Sequence, residues 1–227
     1  MKGFVGEIFT SVQGEGLAVG QRTQFIRLLG CNLRCAYCDT PAAQKMEGLL
    51  HYKGKAFANP VEADFVADTI QERRVAITGG EPLVQVDFVQ ELCKRLSDPQ
   101  KTLFLETNGS LPDALLRVRD YLDMICLDFK IPSATQQKQM WHEHARSLHV
   151  ASTKAVFVKV VIDANYRTAE VRKTCSIIAR IDRKIPLVIQ PVFGRKIDNL
   201  LELQRMAQRI LDDVRVIPQI HKYLNLH

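Results

Sequence analysis

The sequence predicts an α/β protein built as an incomplete βα barrel of the TIM type, in a single domain that spans residues 1–227. Short β-rich runs alternate with amphipathic helical stretches, which is the pattern of βαβ units around a parallel sheet. Three of these runs, VAIT, LFLET and MICLDF, are almost entirely apolar, as expected of strands covered on both faces. About six such units are too few to close an eight-stranded barrel, so the predicted sheet is open.

The individual elements follow from hydrophobic period and from turn residues. Eight strands are predicted, over residues 4–10, 23–29, 74–78, 102–106, 124–129, 155–162, 186–191 and 214–218. Five helices are predicted, over residues 60–71, 86–96, 112–121, 168–181 and 197–211. Pro60 and Pro112 would then lie in the first turn of a helix, where the missing N–H does no harm. Residues 131–152, rich in Gln, His and Ser, are expected to form a long loop with a short helix at most.

Composition excludes several classes of protein. The N-terminus does not have the pattern of a signal peptide, and no apolar stretch approaches the ~18 residues that cross a bilayer. We therefore expect a soluble, cytoplasmic protein that does not bind membranes. The net charge is +6, but the basic residues are scattered rather than clustered, so nucleic-acid binding is not expected. Such a charge favours anionic ligands or an acidic redox partner.

The six cysteines fall into two groups. Cys31, Cys35 and Cys38 lie within eight residues, directly after a predicted strand. The other three stand alone in apolar segments and are expected in the core: Cys93, Cys126 and Cys175. In a cytosolic chain such a cluster indicates a metal-binding or catalytic site. Three thiolates can hold a 4Fe–4S cluster with one iron open to an external ligand, whereas structural zinc would require a fourth ligand such as His51.

The spacing C-x3-C-x2-C after the strand, with Tyr37 before the last cysteine, resembles the signature of the radical S-adenosylmethionine (SAM) superfamily. The resemblance implies the radical SAM core fold, a 4Fe–4S cluster and SAM as cofactors. Segments 78–82 (TGGEP), 106–109 (ETNG) and 128–132 (DFKIP) resemble the family's further motifs, and each follows a predicted strand. The residues that the resemblance assigns to SAM are Tyr37, Cys38, Asp39, Gly79, Gly80, Glu81, Asn108, Asp128, Phe129, Lys130 and Gln190.

The N-terminal segment 6–16, GEIFTSVQGEG, resembles the opening of the 7-carboxy-7-deazaguanine synthase family. This resemblance implies a lyase that converts 6-carboxy-5,6,7,8-tetrahydropterin to 7-carboxy-7-deazaguanine with loss of ammonia, in queuosine and deazapurine biosynthesis. It assigns Mg²⁺ to the Thr40 hydroxyl and the substrate carboxylate to Arg27. The full set of residues implied for the substrate is Val12, Gln13, Gly14, Glu15, Arg27, Thr78 and His227.

Two other interpretations remain open from the residues alone. A glycyl-radical enzyme activase would share the cysteines and the SAM motifs, and a non-catalytic metal-stabilised protein would use four-ligand coordination without SAM. The resemblance to the synthases further implies a homodimer and a flavodoxin-like or ferredoxin-like electron donor. His142, His144 and His149 are expected at the surface, since no second pair of metal ligands accompanies them.

Overall fold

The computed structural model describes residues 1–226. The strands are β1 (Lys2–Gly3), β2 (Val5–Val12), β3 (Arg22–Leu28), β4 (Leu50–Tyr52), β5 (Lys55–Phe57), β6 (Val61–Glu62), β7 (Arg74–Gly79), β8 (Thr102–Thr107), β9 (Met124–Asp128), β10 (Ala155–Ile162), β11 (Leu187–Pro191) and β12 (Val214–Val216). The α-helices are α1 (Ala63–Asp68), α2 (Val86–Leu96), α3 (Pro112–Val118), α4 (Pro132–Thr135), α5 (Trp141–Ala151), α6 (Thr168–Ala179), α7 (Leu200–Gln208) and α8 (Ile220–Tyr223). In the described part of the chain, no helix is long and apolar enough to cross a membrane.

One ten-stranded sheet organises the fold, in the order β12-β11-β10-β9-β8-β7-β3-β2-β4-β5. Strands β3 and β7 to β12 are mutually parallel. At the other end, β2 runs antiparallel to β3, and the β4–β5 hairpin pairs with β2. Within residues 1–226, β12 and β5 remain as free edges, so the sheet is an incomplete barrel and the predicted fold class is confirmed.

The two faces of the sheet have different roles, because successive residues of a strand point to opposite faces. On one face, apolar residues such as Ile26, Leu105 and Ile189 pack with the helices in the main core. The other face carries a smaller apolar cluster: Phe25, Ala76, Phe104, Cys126, Phe157 and Val188. Two residues further along each of these strands, on the same face, a polar side chain lines a cavity: Arg27, Thr78, Glu106, Asp128, Lys159 and Gln190. The strand period thus places a polar ring at the carboxyl ends of the strands, above an apolar floor.

The main strands and helices match the predicted ones except near residues 41–71 and over residues 131–152, and the short elements β1 and α8 were not predicted. The predicted helix 60–71 is in fact α1, which begins at Ala63, and the cis peptide bond between Asn59 and Pro60 precedes it. The assignment of Pro60 to a helix start was therefore wrong, whereas Pro112 does begin α3. The β4–β5 hairpin was not predicted, because three-residue strands are too short to show a period.

Residues 131–152 were wrongly expected to form a loop, since they contain α4 and the eleven-residue α5. His144, Ser147, Leu148 and Ala151 form a buried face at helical spacing. Because two of these four residues are polar, the apolar residues alone do not show a helical period. Both bond to backbone: His144 Nε2 lies 3.1 Å from the carbonyl oxygen of Asn108, and Ser147 Oγ donates to another carbonyl in that turn at 2.8 Å. The surface assignment was thus wrong for His144, although it was correct for His142 and His149.

Candidate active site

A cavity of about 420 Å³ opens at the carboxyl ends of the parallel strands. This volume lies in the range of ligand sites, and the position is the one where α/β folds bind ligands. Most of the predicted site residues line it: Val12, Gln13, Gly14, Glu15, Arg27, Cys31, Cys35, Tyr37, Cys38, Asp39, Thr40, Thr78, Gly79, Gly80, Asn108, Asp128, Lys130 and Gln190. Glu81 and Phe129 are fully buried instead of lining the cavity, and His227 lies outside the described residues.

The three clustered cysteines are half-buried and face this cavity from the loop after β3. The loop is anchored at both ends: Cys31 N donates to Gln44 O at 3.0 Å, and Ala36 N donates to Thr135 O at 3.0 Å. Burial raises the pKa of the Cys31 thiol and raises that of Cys35 to about 11. These thiols therefore require a bound cationic centre to release their protons, as metal-binding thiols do.

The turn after β7 packs directly on the cysteine loop. Glu81 N donates to Gly30 O at 2.8 Å, and a Cβ atom on Gly80 would lie 2.3 Å from that same oxygen. Gly79 has a φ of 133°, in the region that favours glycine. Only glycine therefore lets the TGGEP turn approach the cysteine loop this closely.

The buried Glu81 carboxylate joins two of the predicted motifs. Its oxygens accept hydrogen bonds from Leu83 N at 3.0 Å, from Thr107 Oγ1 at 2.7 Å and from Asn108 N at 2.6 Å. Burial raises the pKa of Glu81, against the effect of these donors. Asn108 Nδ2 in turn donates to Asn32 Oδ1 at 2.9 Å, in the cysteine loop. The three turns thus form one hydrogen-bonded unit along this side of the cavity.

Four charged side chains form a buried ion-pair network inside the cavity. Asp128 Oδ2 accepts from Lys130 Nζ at 2.9 Å and lies 3.2 Å from Lys159 Nζ, which also contacts Glu15 Oε2. Burial opposes all four charges, but the opposite charges outweigh it. The pKa of Glu15 is lowered to about 2, that of Asp128 is lowered, and the pKa values of both lysines are raised. All four groups are therefore charged at neutral pH.

A second group of polar side chains lies at the ends of β2, β7 and β8. Glu106 accepts from Gln13 Nε2 and from Thr78 Oγ1, both at 2.8 Å. Burial raises the pKa of Glu106 above its ordinary value. Arg27, on the neighbouring strand, lies 3.4 Å from Glu7 and holds its guanidinium 5.3 Å from the centre of the Phe9 ring. These groups offer hydrogen-bond donors and acceptors together with one guanidinium.

The segment after β12 joins the cavity wall. Gln219 Nε2 donates to Glu15 Oε1 at 2.8 Å and to Asp39 Oδ2 at 3.0 Å, and Lys222 pairs with Asp39 at 2.9 Å. A Cβ atom on Gly14 would lie 2.0 Å from His221 Nδ1, so glycine is required where this segment meets the loop after β2. The C-terminal segment therefore closes one side of the site.

Comparison with known proteins identifies the family. A model of the radical SAM superfamily matches residues 25–162. The chain is 38% identical to the 7-carboxy-7-deazaguanine synthase of Geobacter sulfurreducens, over 96% of this chain and 95% of that relative. It belongs to the 7-carboxy-7-deazaguanine synthase family. The synthase of Archaeoglobus fulgidus is 33% identical over 97% of each chain. The fold is similar to that of QueE from Escherichia coli, with a TM-score of 0.64 and 22% identity over 97% of this chain and 95% of that one.

As a member of this family, the chain is a radical SAM enzyme that uses a 4Fe–4S cluster and SAM and acts on a small molecule. The residues present fit both cofactors. Three soft thiol ligands face one cavity, as an iron–sulfur cluster requires. In the same cavity, Asp128 Oδ1 and Gln190 Oε1 are buried acceptors without a hydrogen-bond partner among the described residues. Because buried polar atoms normally have partners, these two are suited to donors of a bound ligand such as SAM.

Two charged strand residues that line this cavity, Lys159 and Glu106, were not among the predicted site residues. Each had a signal in the sequence. Lys159 is the one charged residue of β10, whose other seven residues are apolar, and Glu106 sits at the end of the apolar run LFLE. A charged residue in a strand covered on both faces needs a buried partner, so either residue could have been added to the site.

Proposed function

We propose that this protein converts 6-carboxy-5,6,7,8-tetrahydropterin to 7-carboxy-7-deazaguanine with release of ammonia, in the biosynthesis of queuosine and related deazapurines. The observation that carries the proposal is the composition of the cavity. One cavity brings together the three cysteines, two buried acceptors without a partner among the described residues (Asp128 Oδ1 and Gln190 Oε1), and the polar side chains of Gln13, Thr78, Glu106 and Arg27. Cys31, Cys35 and Cys38 would hold the cluster, which would supply the electron for reductive cleavage of bound SAM.

On the SAM side, we assign three kinds of contact. The peptide groups of Gly79 and Gly80 offer backbone partners at close approach, while Asp128 and Gln190 offer unpaired acceptors. Lys130, 3.4 Å from the Tyr37 hydroxyl, supplies a positive charge for the SAM carboxylate. The remaining residues assigned to SAM are Cys38, Asp39, Asn108, Glu81 and Phe129, of which the last two support the wall from behind.

On the substrate side, Arg27 binds the carboxylate of the pterin, a bidentate task suited to a guanidinium. Its stacking on Phe9 supports this role, because the ring restricts how the guanidinium turns. Gln13, Thr78 and Glu106 bind the amide and amine groups of the heterocycle, and Thr78 and Gln13 orient the Glu106 carboxylate for that purpose. Val12, Gly14, Glu15 and His227 complete the proposed set.

We assign the Mg²⁺ of this reaction to the Thr40 hydroxyl, which lines the cavity. The surroundings support a hard cation. Glu15, Asp39 and His221 each offer an electron-pair donor within 4.8 Å of the others. Mg²⁺ takes few protein ligands and keeps waters, so one hydroxyl together with substrate oxygens suffices.

We further propose a flavodoxin-like or ferredoxin-like electron donor, a homodimeric assembly and a cytoplasmic location. Exposed basic side chains beside the cysteine loop, Arg34 and Lys45, support an acidic donor at a surface cleft that Cys31 also lines. The six free cysteines support a reducing compartment. Light scattering of the purified protein measures the assembly, and reduction kinetics with an acidic flavodoxin test the donor.

The decisive experiment is an anaerobic assay of the cluster-reconstituted protein with SAM, dithionite, Mg²⁺ and 6-carboxytetrahydropterin, analysed by mass spectrometry. The expected product is 7-carboxy-7-deazaguanine, formed without any partner protein, which also separates a synthase from an activase. Cleavage of SAM without this product would refute the proposed substrate assignment. Cys35→Ala should lose the cluster and all cleavage, whereas Cys93→Ala, at a lone buried cysteine, should keep both.

A further inference from the structure

We infer that Lys159 is a positioning residue that couples the substrate side of the cavity to the SAM side. The inference rests on the proposed function, because it takes Glu15 to belong to the substrate site and Asp128 to the SAM site. In this arrangement, the Lys159 ammonium holds one carboxylate from each site. Binding of either ligand would then favour binding of the other.

The position of Lys159 restricts it to this role. It lies at the centre of β10, directly opposite Asp128 in the parallel pairing of β10 with β9. Its side chain is only 9% exposed, and its ammonium group contacts Glu15 Oε2 and lies 3.2 Å from Asp128 Oδ2. Burial of an ammonium group is costly without such partners. The two carboxylates therefore offset the cost of burying the Lys159 charge.

Both carboxylates are oriented by this contact. The other carboxylate oxygen of Glu15 accepts a hydrogen bond from Gln219 at 2.8 Å, so both oxygens of this carboxylate have a partner. Asp128 Oδ2 is shared between Lys159 and Lys130, which leaves Oδ1 as the buried oxygen without a partner among the described residues. A lysine can serve both carboxylates because its ammonium is a compact charge with three donors.

Energetic coupling follows from this shared group. A substrate that orders Glu15 also fixes Lys159, and Asp128 is then already oriented when SAM arrives. The reverse must hold to the same extent, since coupling between two ligands is reciprocal. Couplings of this kind change an affinity by about 5- to 150-fold.

The test is equilibrium binding to the reconstituted, oxidised holoenzyme, in which no turnover occurs. Calorimetry measures the Kd of SAM with and without saturating 6-carboxytetrahydropterin in wild type, Lys159→Gln and Lys196→Gln. The last is the control, since Lys196 is 91% exposed. We expect the substrate to tighten SAM binding about fivefold or more in wild type and in the control. In Lys159→Gln the ratio of the two Kd values should approach one. A wild-type ratio of one, or an unchanged ratio in Lys159→Gln, would overturn the inference.

A second variant covers the case in which Lys159→Gln does not fold. Glu15→Gln removes the charge that holds Lys159 while leaving the lysine in place. We expect it to weaken SAM binding about threefold or more in the absence of substrate, although Glu15 is assigned to the substrate. The matched control is Glu62→Gln at the surface. Unchanged SAM affinity in Glu15→Gln would refute the coupling. If the wild type instead bound both ligands but made no deazaguanine product, the proposed function alone would fail.

Discussion

The substitution Gly80→Ala tests whether close packing of the TGGEP turn keeps the cysteine loop ready for the cluster. The added Cβ would lie 2.3 Å from Gly30 O and 2.5 Å from Ala43 O, whereas real Cβ contacts essentially never fall below 3.0 Å. The backbones must therefore separate by about 0.7 Å. Neither carbonyl can yield freely, because Gly30 O accepts from Glu81 N at 2.8 Å and Ala43 O accepts from Gly30 N at 2.9 Å.

The expected cost of this substitution combines overpacking with weakened hydrogen bonds. Overpacking costs about 1–3 kcal/mol and each hydrogen bond about 1 kcal/mol, so the free energy of unfolding should fall by about 3 kcal/mol. For a chain of this size, that lowers the Tm of the apoprotein by roughly 6–12 °C. Because Gly30 directly precedes Cys31, iron and sulfide content after reconstitution should also fall to a minor fraction of the wild-type value.

Scanning calorimetry of the apoprotein and iron and sulfide analysis of the reconstituted protein measure the two effects. The control is Gly54→Ala in the β4–β5 turn, where φ is 73° but no atom lies within 4 Å of the added Cβ. Backbone strain should lower the free energy of unfolding of this control by about 1 kcal/mol. Its iron and sulfide content should equal that of the wild type. A Gly80→Ala protein with wild-type Tm and wild-type iron content would refute the packing argument.

Three further predictions concern individual side chains. Arg27→Lys should raise the KM for the pterin about 10- to 100-fold, because the bidentate contact is lost, and leave substrate-free SAM cleavage unchanged. Steady-state kinetics check this, with the exposed Arg22→Lys on the same strand as control, and an unchanged KM would contradict it. His144→Leu should lower the free energy of unfolding in urea by about 1–3 kcal/mol, because a buried backbone carbonyl loses its partner. The variant His149→Leu, at an exposed position, should keep the wild-type free energy of unfolding. Equal losses of stability in the two variants would contradict the hydrogen-bonding role of His144. Burial alone would raise the pKa of Glu15, but the adjacent ammonium group lowers it to about 2 from 4.5. The carboxylate therefore stabilises the fold fully above about pH 5 by about 3 kcal/mol and loses this contribution as pH falls towards 2. In urea titrations, the difference in the free energy of unfolding between the wild type and Glu15→Gln should shrink by about half between pH 6 and pH 3. A difference that does not change with pH would contradict the ion pair.

Much of the fold and the position of the site could be predicted because they depend on local patterns. The apolar runs ending at Thr78, Glu106 and Asp128 identified buried parallel strands, and the motifs after them therefore met at one end of the sheet. The same spacing that identified Cys31, Cys35 and Cys38 as a cluster-binding set also brought all three to the cavity.

The wrong assignments of α5 and of His144 have one physical cause, which is that a polar residue can be buried when a distant group satisfies it. The buried face of α5 contains His144 and Ser147, whose partners are carbonyls some 36–38 residues earlier in the chain. A hydrophobic period could not reveal this face, because half of its residues are polar. The short β4–β5 hairpin was missed for a different reason, since its pairing with β2 rather than its own sequence stabilises it.

The sequence by itself determined the class of fold, the set of three clustered cysteines and the family motifs, because strand period and residue spacing are local properties of the chain. Only the tertiary structure decided which charges meet. Lys159 bonds to Glu15, 144 residues away, and the same ammonium group reaches Asp128 on the neighbouring strand. Nothing local in β10 specifies either partner. The sheet order brings them together, and the low dielectric of the interior makes the pairing necessary.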